Sequence, residues 1–417
     1  MKYGCIGEKL GHSFSAVIHK SIADYDYILR EIPRDEIDSF MKKRDFIAVN
    51  VTIPYKEAVI PYLDHIDENA AKIGAVNTVV NKDGKLYGYN TDFAGLRKLI
   101  QKSGFDYTNK KVLICGSGGT SRTAKAAALS LGASSVICLS RAEKPQCETY
   151  ANAYKTHSDA DYIINTTPCG MWPDTDSVSI DILKFPSLKG VTDVVYNPLR
   201  SELVRRAHAA GIPAHGGLYM LVAQAVAASE IFTGTNYAKE VTDRVFKEIY
   251  TGKENIVLTG MAGAGKSTIG KLLAEATGKS YIDTDEMIES KTGKTPAGII
   301  NEYGEPHFRA IEKAVVKEAA ARTSSVISTG GGAVLDPDNI HELRMNGRII
   351  FLRRDIAEIR TGPERPITPN AERLETIYKE RYPLYMERCD GVFDVSGTPE
   401  QCVKKILEMI NVENTCD

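Results

Sequence analysis

Hydrophobic positions along the chain switch repeatedly between two spacings. Short continuous or alternating apolar runs predict strands, and apolar positions at a helical period predict helices. The strand-like segments run from Tyr3 to Gly7, Tyr25 to Glu31, Ala48 to Thr52, Ala75 to Asn81, Lys85 to Tyr89, Lys111 to Cys115, Ser135 to Leu139, Tyr162 to Pro168, Val191 to Pro198, Ile256 to Leu258, Ser280 to Asp285, Val326 to Thr329 and Gly391 to Val395. The helix-like segments run from Val17 to Ile22, Arg34 to Lys42, Phe93 to Lys102, Thr123 to Leu131, Glu202 to Ala210, Gly217 to Phe232, Tyr237 to Tyr250, Ile269 to Ala276, Ala297 to Tyr303, Phe308 to Arg322, Glu372 to Arg388 and Pro399 to Ile410. This alternation predicts an α/β protein with largely parallel sheets.

A glycine-rich turn follows the strand that ends at Cys115. The segment Gly116-Ser117-Gly118-Gly119-Thr120-Ser121 lies between that strand and a helix, and a second strand follows the helix. This is the layout of a dinucleotide-binding βαβ unit, a Rossmann domain. The second strand ends in Ser140-Arg141, with Lys144 nearby and no acid before Glu143. Because a cation at that place suits a 2′-phosphate, the sequence predicts NADP rather than NAD.

A second glycine-rich turn opens the last 160 or so residues. The segment from Gly260 to Thr268 has the phosphate-loop spacing G-x4-G-K-[ST], with a strand before it and a helix after it. Glycines allow consecutive backbone N–H groups to point at a polyphosphate, Lys266 reaches the β- and γ-phosphates, and Ser267 ligates Mg²⁺. The predicted ATP-binding residues here are Gly263, Ala264, Gly265, Lys266, Ser267 and Thr268.

Polar residues also follow the strands downstream of this loop. Asp283 and Asp285 are two residues apart in a predicted strand and should therefore face the same way. Arg309 and Glu312 are three apart on a predicted helix, a spacing that an ordinary surface ion pair also has. Gly330-Gly331-Gly332 would allow a ligand to approach the backbone closely.

The first 92 residues carry hydroxyls, amides, one lysine and one aspartate at the ends of their strands. Together they could line a site for a small polyhydroxylated acid. They are Ser13, Ser15, Asn50, Thr52, Lys56, Asn77, Thr91 and Asp92.

Length and composition limit the classes of protein that fit. A chain of 417 residues suggests two or three domains, and a net charge of −2 gives no sign of a nucleic-acid or membrane partner. The eight cysteines are scattered, without a metal-ligand spacing. We find no secretory leader and no apolar run of about 18 residues, so we expect a cytoplasmic protein that acts on small molecules. The sequence leaves the oligomeric state open.

The family resemblances given below imply a division into four parts. A substrate domain would comprise residues 1–92 and 216–250, and a Rossmann NADP-binding domain residues 93–215. Residues 251–255 would form a linker, and residues 256–417 a parallel α/β domain with a P-loop, similar to nucleoside-monophosphate kinases.

The first 250 residues resemble shikimate dehydrogenase. The resemblance is carried by Gly11-His12-Ser13-Phe14-Ser15, Asn50-Val51-Thr52-Ile53-Pro54-Tyr55-Lys56, Gly74-Ala75-Val76-Asn77-Thr78, Asn90-Thr91-Asp92, Asn165-Thr166-Thr167-Pro168 and Gly217-Leu218-Tyr219-Met220-Leu221-Val222-Ala223-Gln224. It implies that Lys56 and Asp92 form the catalytic pair. The implied substrate-binding residues are Ser13, Ser15, Asn50, Thr52, Asn77, Thr91, Tyr196 and Gln224, and the NADP-binding residues are Gly116, Gly118, Gly119, Arg141, Thr166 and Gly217.

The remainder of the chain, from about residue 254, resembles shikimate kinase. The phosphate loop carries this resemblance together with Asp283-Thr284-Asp285, Phe308-Arg309-Ala310-Ile311-Glu312, Gly330-Gly331-Gly332, Arg365-Pro366 and Arg381-Tyr382-Pro383-Leu384-Tyr385. It implies that Asp285, Lys266 and Arg365 are catalytic, with Arg365 on a lid and Arg360 against adenine. Shikimate would be held by Asp285, Arg309, Gly331 and Arg381, and Mg²⁺ by Ser267 and, through water, Asp283.

The two resemblances predict a bifunctional enzyme. One half would reduce 3-dehydroshikimate with NADPH, and the other would phosphorylate shikimate with MgATP. The alternatives are an NAD-linked quinate/shikimate dehydrogenase joined to a P-loop kinase, a regulatory P-loop module on an inactive dehydrogenase, and a kinase for another small polyol acid.

Overall fold

This computed structural model describes residues 1–11, 13–359 and 370–413, and its chain forms two compact units, Met1–Tyr250 and Thr251–Asp417. Each unit is described by itself below. Within the described residues, none of the helices combines the length and apolar character that crossing a bilayer requires.

The first sheet of unit 1 is mixed. Its strands are β1 Tyr3–Gly7, β2 Tyr27–Glu31, β3 Ala48–Val51, β4 His65–Ile66, β5 Thr78–Lys82 and β6 Lys85–Tyr89, in the order β2-β1-β3-β5-β6-β4. β1 pairs in parallel with β2 and β3, whereas β5 is antiparallel to both β3 and β6. The helices of this region are α1 Ser15–Ile22, α2 Ile37–Lys43 and α3 Glu68–Ile73. Asp83 and Gly84 both have positive φ in the tight turn between β5 and β6, as the Asp-Gly pair predicts.

The second sheet of unit 1 is parallel throughout. Its strands are β7 Lys111–Cys115, β8 Ser135–Ser140, β9 Cys147–Thr149, β10 Tyr162–Asn165, β11 Gly190–Asp193 and β12 Ala214–His215, in the order β12-β11-β10-β7-β8-β9. The helices are α4 Thr91–Lys102, α5 Gly119–Ser130, α6 Tyr150–Thr156, α7 Glu202–Ala209, α8 Leu218–Thr233 and α9 Glu240–Lys253. Successive residues of β7 enter different apolar cores: Val112 and Ile114 pack with α4, α5 and α8, and Leu113 and Cys115 with α6 and α7. Both faces of the sheet are therefore covered, as a doubly wound fold requires.

The sheet of unit 2 is also parallel. Its strands are β13 Asn255–Thr259, β14 Ser280–Asp283, β15 Ser325–Ser328, β16 Gly347–Arg353 and β17 Gly391–Asp394, in the order β14-β15-β13-β16-β17. The helices are α10 Lys266–Thr277, α11 Thr284–Thr292, α12 Pro296–Tyr303, α13 Glu305–Ala320, α14 Pro337–Leu343, α15 Ala371–Arg388 and α16 Pro399–Glu413. The phosphate-loop strand, β13, is central, so its carboxyl end lies between those of β15 and β16.

The segment 251–255, predicted as a linker, contains the end of one helix and the start of one strand. α9 continues to Lys253, and β13 begins at Asn255. The Lys279 ammonium donates to the carbonyls of Thr251, Gly252 and Glu254 at 2.7, 3.1 and 2.9 Å. A cation at the last carbonyls of a helix stabilises the end of that helix.

Buried polar contacts fix the carboxyl ends of β10 and β11. Asp193 Oδ1 accepts from Asn165 Nδ2 at 2.9 Å and from the Val195 N–H at 3.0 Å, and Oδ2 accepts from Ser201 Oγ at 2.5 Å. Ser201 in turn caps α7 through the Val204 N–H. Burial raises the pKa of the Asp193 carboxyl to about 6, although these hydrogen bonds oppose the rise.

The raised pKa of Asp193 predicts a pH-dependent stability of unit 1. A carboxyl with a folded pKa above its unfolded value of about 3.9 stabilises the fold below that value. This stabilisation is lost as pH rises through about 6. For a shift of this size the loss is up to about 3 kcal/mol.

Asp193→Asn should remove that part of the pH dependence. Its Oδ1 can accept the same two hydrogen bonds, and its amide can donate to Ser201. Urea unfolding followed through Trp172, the only tryptophan of the chain, measures the free energy of unfolding from about pH 4 to about pH 7. If the free energy of unfolding changed equally with pH in both proteins, Asp193 would not be the source of this pH dependence.

Candidate active sites

The carboxyl ends of β3, β10 and β11 and the first turns of α8 surround a cavity of about 460 Å³ in unit 1. Most of the side chains predicted to bind substrate line it. They are Ser13, Ser15, Asn50, Thr52, Lys56, Asn77, Asp92, Tyr196 and Gln224. The cofactor candidates Thr166 and Gly217 line the same cavity.

Lys56 and Asp92 form an ion pair at the wall of this cavity. Lys56 Nζ donates to Asp92 Oδ2 at 2.6 Å, and the two side chains are only 19% and 12% exposed. Lys56 follows β3 through a turn closed by the Tyr55 N–H and the Thr52 carbonyl. Asp92 lies in the first turn of α4, where helix N–H groups favour a negative charge. The pair places an ammonium proton donor at the surface of the cavity.

A hydrogen-bonded network behind the wall fixes the two amides of the site. Asn77 Nδ2 donates to Thr91 Oγ1 at 3.0 Å, and Asn77 Oδ1 accepts from the Thr91 N–H at 2.7 Å. Thr91 Oγ1 also donates to Gln224 Oε1 at 3.3 Å. Thr91 is buried and does not line the cavity, so it orients Asn77 and Gln224 rather than facing a ligand. The family resemblance implied Thr91 as a substrate-binding residue, and that assignment stays a prediction.

The glycine turn after β7 fits a dinucleotide phosphate. Gly118 caps α5 without any side-chain hydrogen bond, and a Cβ added to it would meet nothing within 4 Å. Gly116 has φ +119°, and its added Cβ would lie 2.6 Å from Thr166 Oγ1. The first N–H groups of α5 therefore face open space that an anion can enter. Gly119, the first residue of α5, belongs to the same turn.

Two cations lie near this turn. Arg141 is exposed directly after β8, and Lys144 donates to Ser117 Oγ at 3.0 Å within the turn itself. Gly217 also approaches the backbone closely, because an added Cβ would overlap the Val194 carbonyl. The positive charge and the open helix terminus fit a 2′-phosphorylated dinucleotide.

The phosphate loop of unit 2 has the backbone that its glycines predict. Gly263 and Gly265 have φ +89° and +97°, and Gly265 caps α10 without a side-chain hydrogen bond. Lys266 Nζ donates to the carbonyls of Gly260 and Met261 at 2.9 and 3.0 Å. Ala264 is buried in the loop, and Thr268 follows Ser267 in the first turn of α10. The lysine thus lies across the loop, where polyphosphate binding requires a cation.

Ser267 and Asp283 meet beside the loop. Ser267 Oγ donates to Asp283 Oδ2 at 2.9 Å, and Tyr281 OH donates to the same oxygen at 2.9 Å. Among the described residues no group of three or more His, Cys, Asp and Glu side chains could hold a metal. A hydroxyl and a carboxylate fit Mg²⁺, which takes few protein ligands and completes its shell with phosphate and water.

The prediction that Asp283 and Asp285 share one face of a strand is wrong. β14 ends at Asp283, which caps α11, and Asp285 lies in the first turn of that helix. Asp283 Oδ1 accepts from the Asp285 N–H at 3.0 Å, so the carboxylate ends the strand by starting the helix. Burial raises the pKa of the Asp285 carboxyl and the charge of Asp283 raises it further, while Lys266 and Arg309 act against the rise.

Arg309 and Glu312 are not a surface pair. Arg309 Nη1 donates to Glu312 Oε2 at 2.6 Å, with side-chain exposures of 21% and 1%. Gly332 has no room for a Cβ because the Arg309 guanidinium occupies that space. A Cβ on Gly330 would lie 2.9 Å from Asp285 Oδ1 and 2.8 Å from Glu312 Oε1. The glycine run is therefore the floor of a pocket formed by two carboxylates and a guanidinium.

Arg381 completes this pocket from α15. Its Nη1 donates to the Gly331 carbonyl at 3.1 Å, and Tyr385 OH donates to the same oxygen at 2.5 Å. The predicted residues Asp285, Arg309, Gly331 and Arg381 are thus gathered around one glycine turn. Arg360 and Arg365, as well as His12, lie outside the described residues.

Sequence reasoning missed several residues at the two sites. Lys9, Met171 and Trp172 line the cavity of unit 1, and Glu312, Tyr281 and Tyr385 support the pocket of unit 2. The single tryptophan of the chain was a signal for the first group. Only the fold shows that the tyrosines donate to site oxygens.

Comparison with known proteins identifies both halves. A model described as shikimate dehydrogenase substrate binding domain matches residues 5–79, and one described as shikimate kinase matches residues 262–411. The shikimate dehydrogenase (NADP(+)) of Clostridium perfringens strain SM101 is 35% identical over 265 residues, which are 59% of this chain and 97% of that protein. That of Methanosphaera stadtmanae is 36% identical over 55% of this chain and 90% of its own.

Solved structures of shikimate dehydrogenases are similar to this chain over its first part. Shikimate dehydrogenase 1 of Peptoclostridium difficile has a TM-score of 0.56 and 32% identity, over 60% of this chain and 98% of that one. A chorismate mutase/shikimate 5-dehydrogenase fusion protein of Clostridium acetobutylicum has a TM-score of 0.57 and 32% identity, over 60% and 97%. The chain therefore belongs to the shikimate dehydrogenase family and continues into a shikimate kinase domain, so that two enzymes of the shikimate pathway are fused in one polypeptide.

Proposed function

We propose that unit 1 reduces 3-dehydroshikimate to shikimate with NADPH, and that unit 2 phosphorylates the 3-hydroxyl of shikimate with MgATP. The observation that carries the first activity is the Lys56–Asp92 ion pair, which opens into the same cavity as the cofactor candidates Thr166 and Gly217. The second activity rests on the phosphate loop and on the pocket of Asp285, Arg309 and Arg381.

In the reductase, negative charge develops on the C3 carbonyl oxygen as the substrate is reduced. The nicotinamide supplies a hydride when NADPH is bound. Lys56 Nζ donates the proton to the oxygen, and Asp92 orients the ammonium toward it. Ser13 and Ser15 are 3.0 Å apart between their hydroxyl oxygens and suit the substrate carboxylate. Thr52, Asn77 and Gln224 suit the ring hydroxyls, since Thr91 fixes both amides.

In the kinase, negative charge spreads over the phosphoryl group in transfer. Ser267, and Asp283 through water, would hold Mg²⁺, which would supply positive charge beside that group. Lys266 and the loop N–H groups position the phosphates. Asp285 accepts the proton of the 3-hydroxyl, while Arg309 and Arg381 pair with the substrate carboxylate, for which a planar guanidinium is suited.

The NAD-linked alternative with a regulatory P-loop module is less favoured. The relatives that cover unit 1 are named as NADP(+) enzymes, and the second half matches a kinase family. Arg141 and Lys144 also provide positive charge beside the glycine turn. A preference for NADPH over NADH, measured as the ratio of kcat/KM, tests this choice directly.

Lys56→Ala should lower the reductase kcat at least about a hundredfold, because a positioned acid typically contributes this much. NADPH binding, measured by fluorescence titration, should change little, since the lysine serves the substrate carbonyl. Lys72→Ala removes an exposed lysine that pairs with Glu68 and is the matched control. An unchanged kcat for Lys56→Ala would remove the lysine from the mechanism.

Arg309→Ala should raise the KM for shikimate roughly tenfold to a hundredfold, as expected for a lost charge-assisted hydrogen bond. The KM for ATP should change little, because the guanidinium lies in the pocket of Asp285 and Glu312. Arg309→Lys keeps a positive charge beside buried Glu312, so it distinguishes lost shikimate binding from lost folding. Arg322→Ala is a control, because it removes an arginine from an exposed ion pair. Equal increases in both KM values would indicate a structural role.

The raised pKa of Asp285 predicts how the kinase loses activity on the acidic side of its pH profile, the acid limb. Only the ionised carboxylate can accept the hydroxyl proton, so a raised pKa removes the active form at a higher pH than an ordinary aspartate would. Asp283→Asn removes the neighbouring negative charge and should move the limb of kcat/KM for shikimate to lower pH, whatever its effect on the maximal rate. A limb that does not move would exclude Asp285 as the titrating base.

A further inference from the structure

Arg122 connects the cofactor turn to the backbone that carries the catalytic lysine. It lies in α5, three residues after the turn glycine Gly119. Arg122 Nη2 donates to Glu57 Oε1 at 2.6 Å, and Glu57 is the chain neighbour of Lys56. The contact thus joins the helix at the predicted NADP site to the residue next to the predicted proton donor.

The same guanidinium also caps α3. Arg122 Nε donates to the Ile73 carbonyl at 3.0 Å, and Nη2 donates to the Gly74 carbonyl at 3.3 Å. These are the last carbonyls of that helix, where a cation is favoured. Two residues further on, the Val76 N–H donates to the Lys56 carbonyl at 2.8 Å. Arg122 therefore holds both segments that fix the Lys56 backbone.

A second contact of α5 involves Asn90, which caps the helix that carries Asp92. Asn90 Nδ2 donates to the Ala75 carbonyl at 2.9 Å and to Thr123 Oγ1 at 3.4 Å. Asn90 Oδ1 accepts from the Phe93 N–H and caps α4, the helix that presents Asp92. The first turn of α5 is thus joined to the supports of both Lys56 and Asp92.

An exposed arginine–glutamate pair alone would contribute little to stability. The Arg122 and Glu57 side chains are 43% and 61% exposed, and water and salt screen pairs of this kind. The two backbone carbonyls distinguish Arg122 from such a pair, because the planar guanidinium can hold three acceptors in one fixed arrangement. Its three hydrogen bonds therefore fix the position of the backbone around Lys56 rather than adding much to stability.

We propose that Arg122 is a positioning residue of the reductase. It sets the distance between the hydride donor, bound at the α5 turn, and the Lys56–Asp92 proton donor. The hydride goes to the carbonyl carbon and the proton goes to the carbonyl oxygen. Both donors must therefore be correctly positioned against the same substrate at the same time. Misplacement by about 1 Å can cost a hundredfold in rate, so loss of this contact should slow chemistry more than binding. The inference rests on the proposed reductase function.

The test is a single-turnover measurement on the full chain. Enzyme in excess is mixed with NADPH and 3-dehydroshikimate, and NADPH oxidation is followed by absorbance. For Arg122→Ala we expect full amplitude, a rate constant lowered roughly tenfold to a hundredfold, and slowing by NADPH deuterated at the transferred position. NADPH affinity should change less than about threefold. Arg122→Lys should recover part of the rate. The double variant Arg122→Ala with Glu57→Ala should lose less rate than the two single losses combined would give.

Two controls identify a merely structural effect. Kinase activity of the same preparation reports the amount of intact chain, and Arg206→Ala removes an exposed arginine that pairs with Glu202 on α7. A rate constant that falls only in proportion to the number of NADPH-binding sites would mean loss of folded enzyme and would overturn the proposal. A wild-type rate constant in Arg122→Ala would also overturn it, while the proposed reductase function would stand. If wild-type chain fails to oxidise NADPH, the proposed function fails and the inference falls with it.

Discussion

Parallel strand pairing is the constraint on which both units depend. Parallel strands bring their carboxyl ends to one edge of a sheet. At that edge each strand is followed by a turn that connects it to a helix. The dinucleotide turn follows β7 and the phosphate loop follows β13, both near the middle of their sheets. Because neither helix that follows has a side-chain cap, its first N–H groups are available to an anion. The two sites are thus built by the same physical means.

The parts of the fold that depend on local chemistry could be predicted from the sequence. Glycines that need positive φ, a lysine after a phosphate loop and alternating apolar runs each restrict the backbone within a few residues. Gly116 and Gly265 therefore occupy the predicted turns. The internal strand β16 was overlooked, although its apolar run from Ile349 to Leu352 was visible in the sequence.

The parts that depend on distant neighbours could not be predicted. Whether Glu312 is exposed is decided by Gly330 and by the packing of α13, not by its spacing from Arg309. The partners that Thr91 orients, Asn77 and Gln224, likewise come from elsewhere in the fold. Both arrangements depend on contacts between residues that the sequence separates. Asp285 is a local exception, because it leaves the strand where Asp283, two residues before it, accepts its N–H and starts α11.

The fused domains belong to enzymes of one pathway, and the proposed product of the first is the proposed substrate of the second. The most direct test of this account is the stoichiometry of one reaction. Full chain is supplied with 3-dehydroshikimate, NADPH and MgATP, and NADP⁺ and ADP are measured in the same sample until 3-dehydroshikimate is exhausted. The account predicts that both rise and reach equal amounts, with no ADP formed when NADPH is left out. NADPH oxidation without ADP, or ADP formation that does not depend on NADPH, would contradict it.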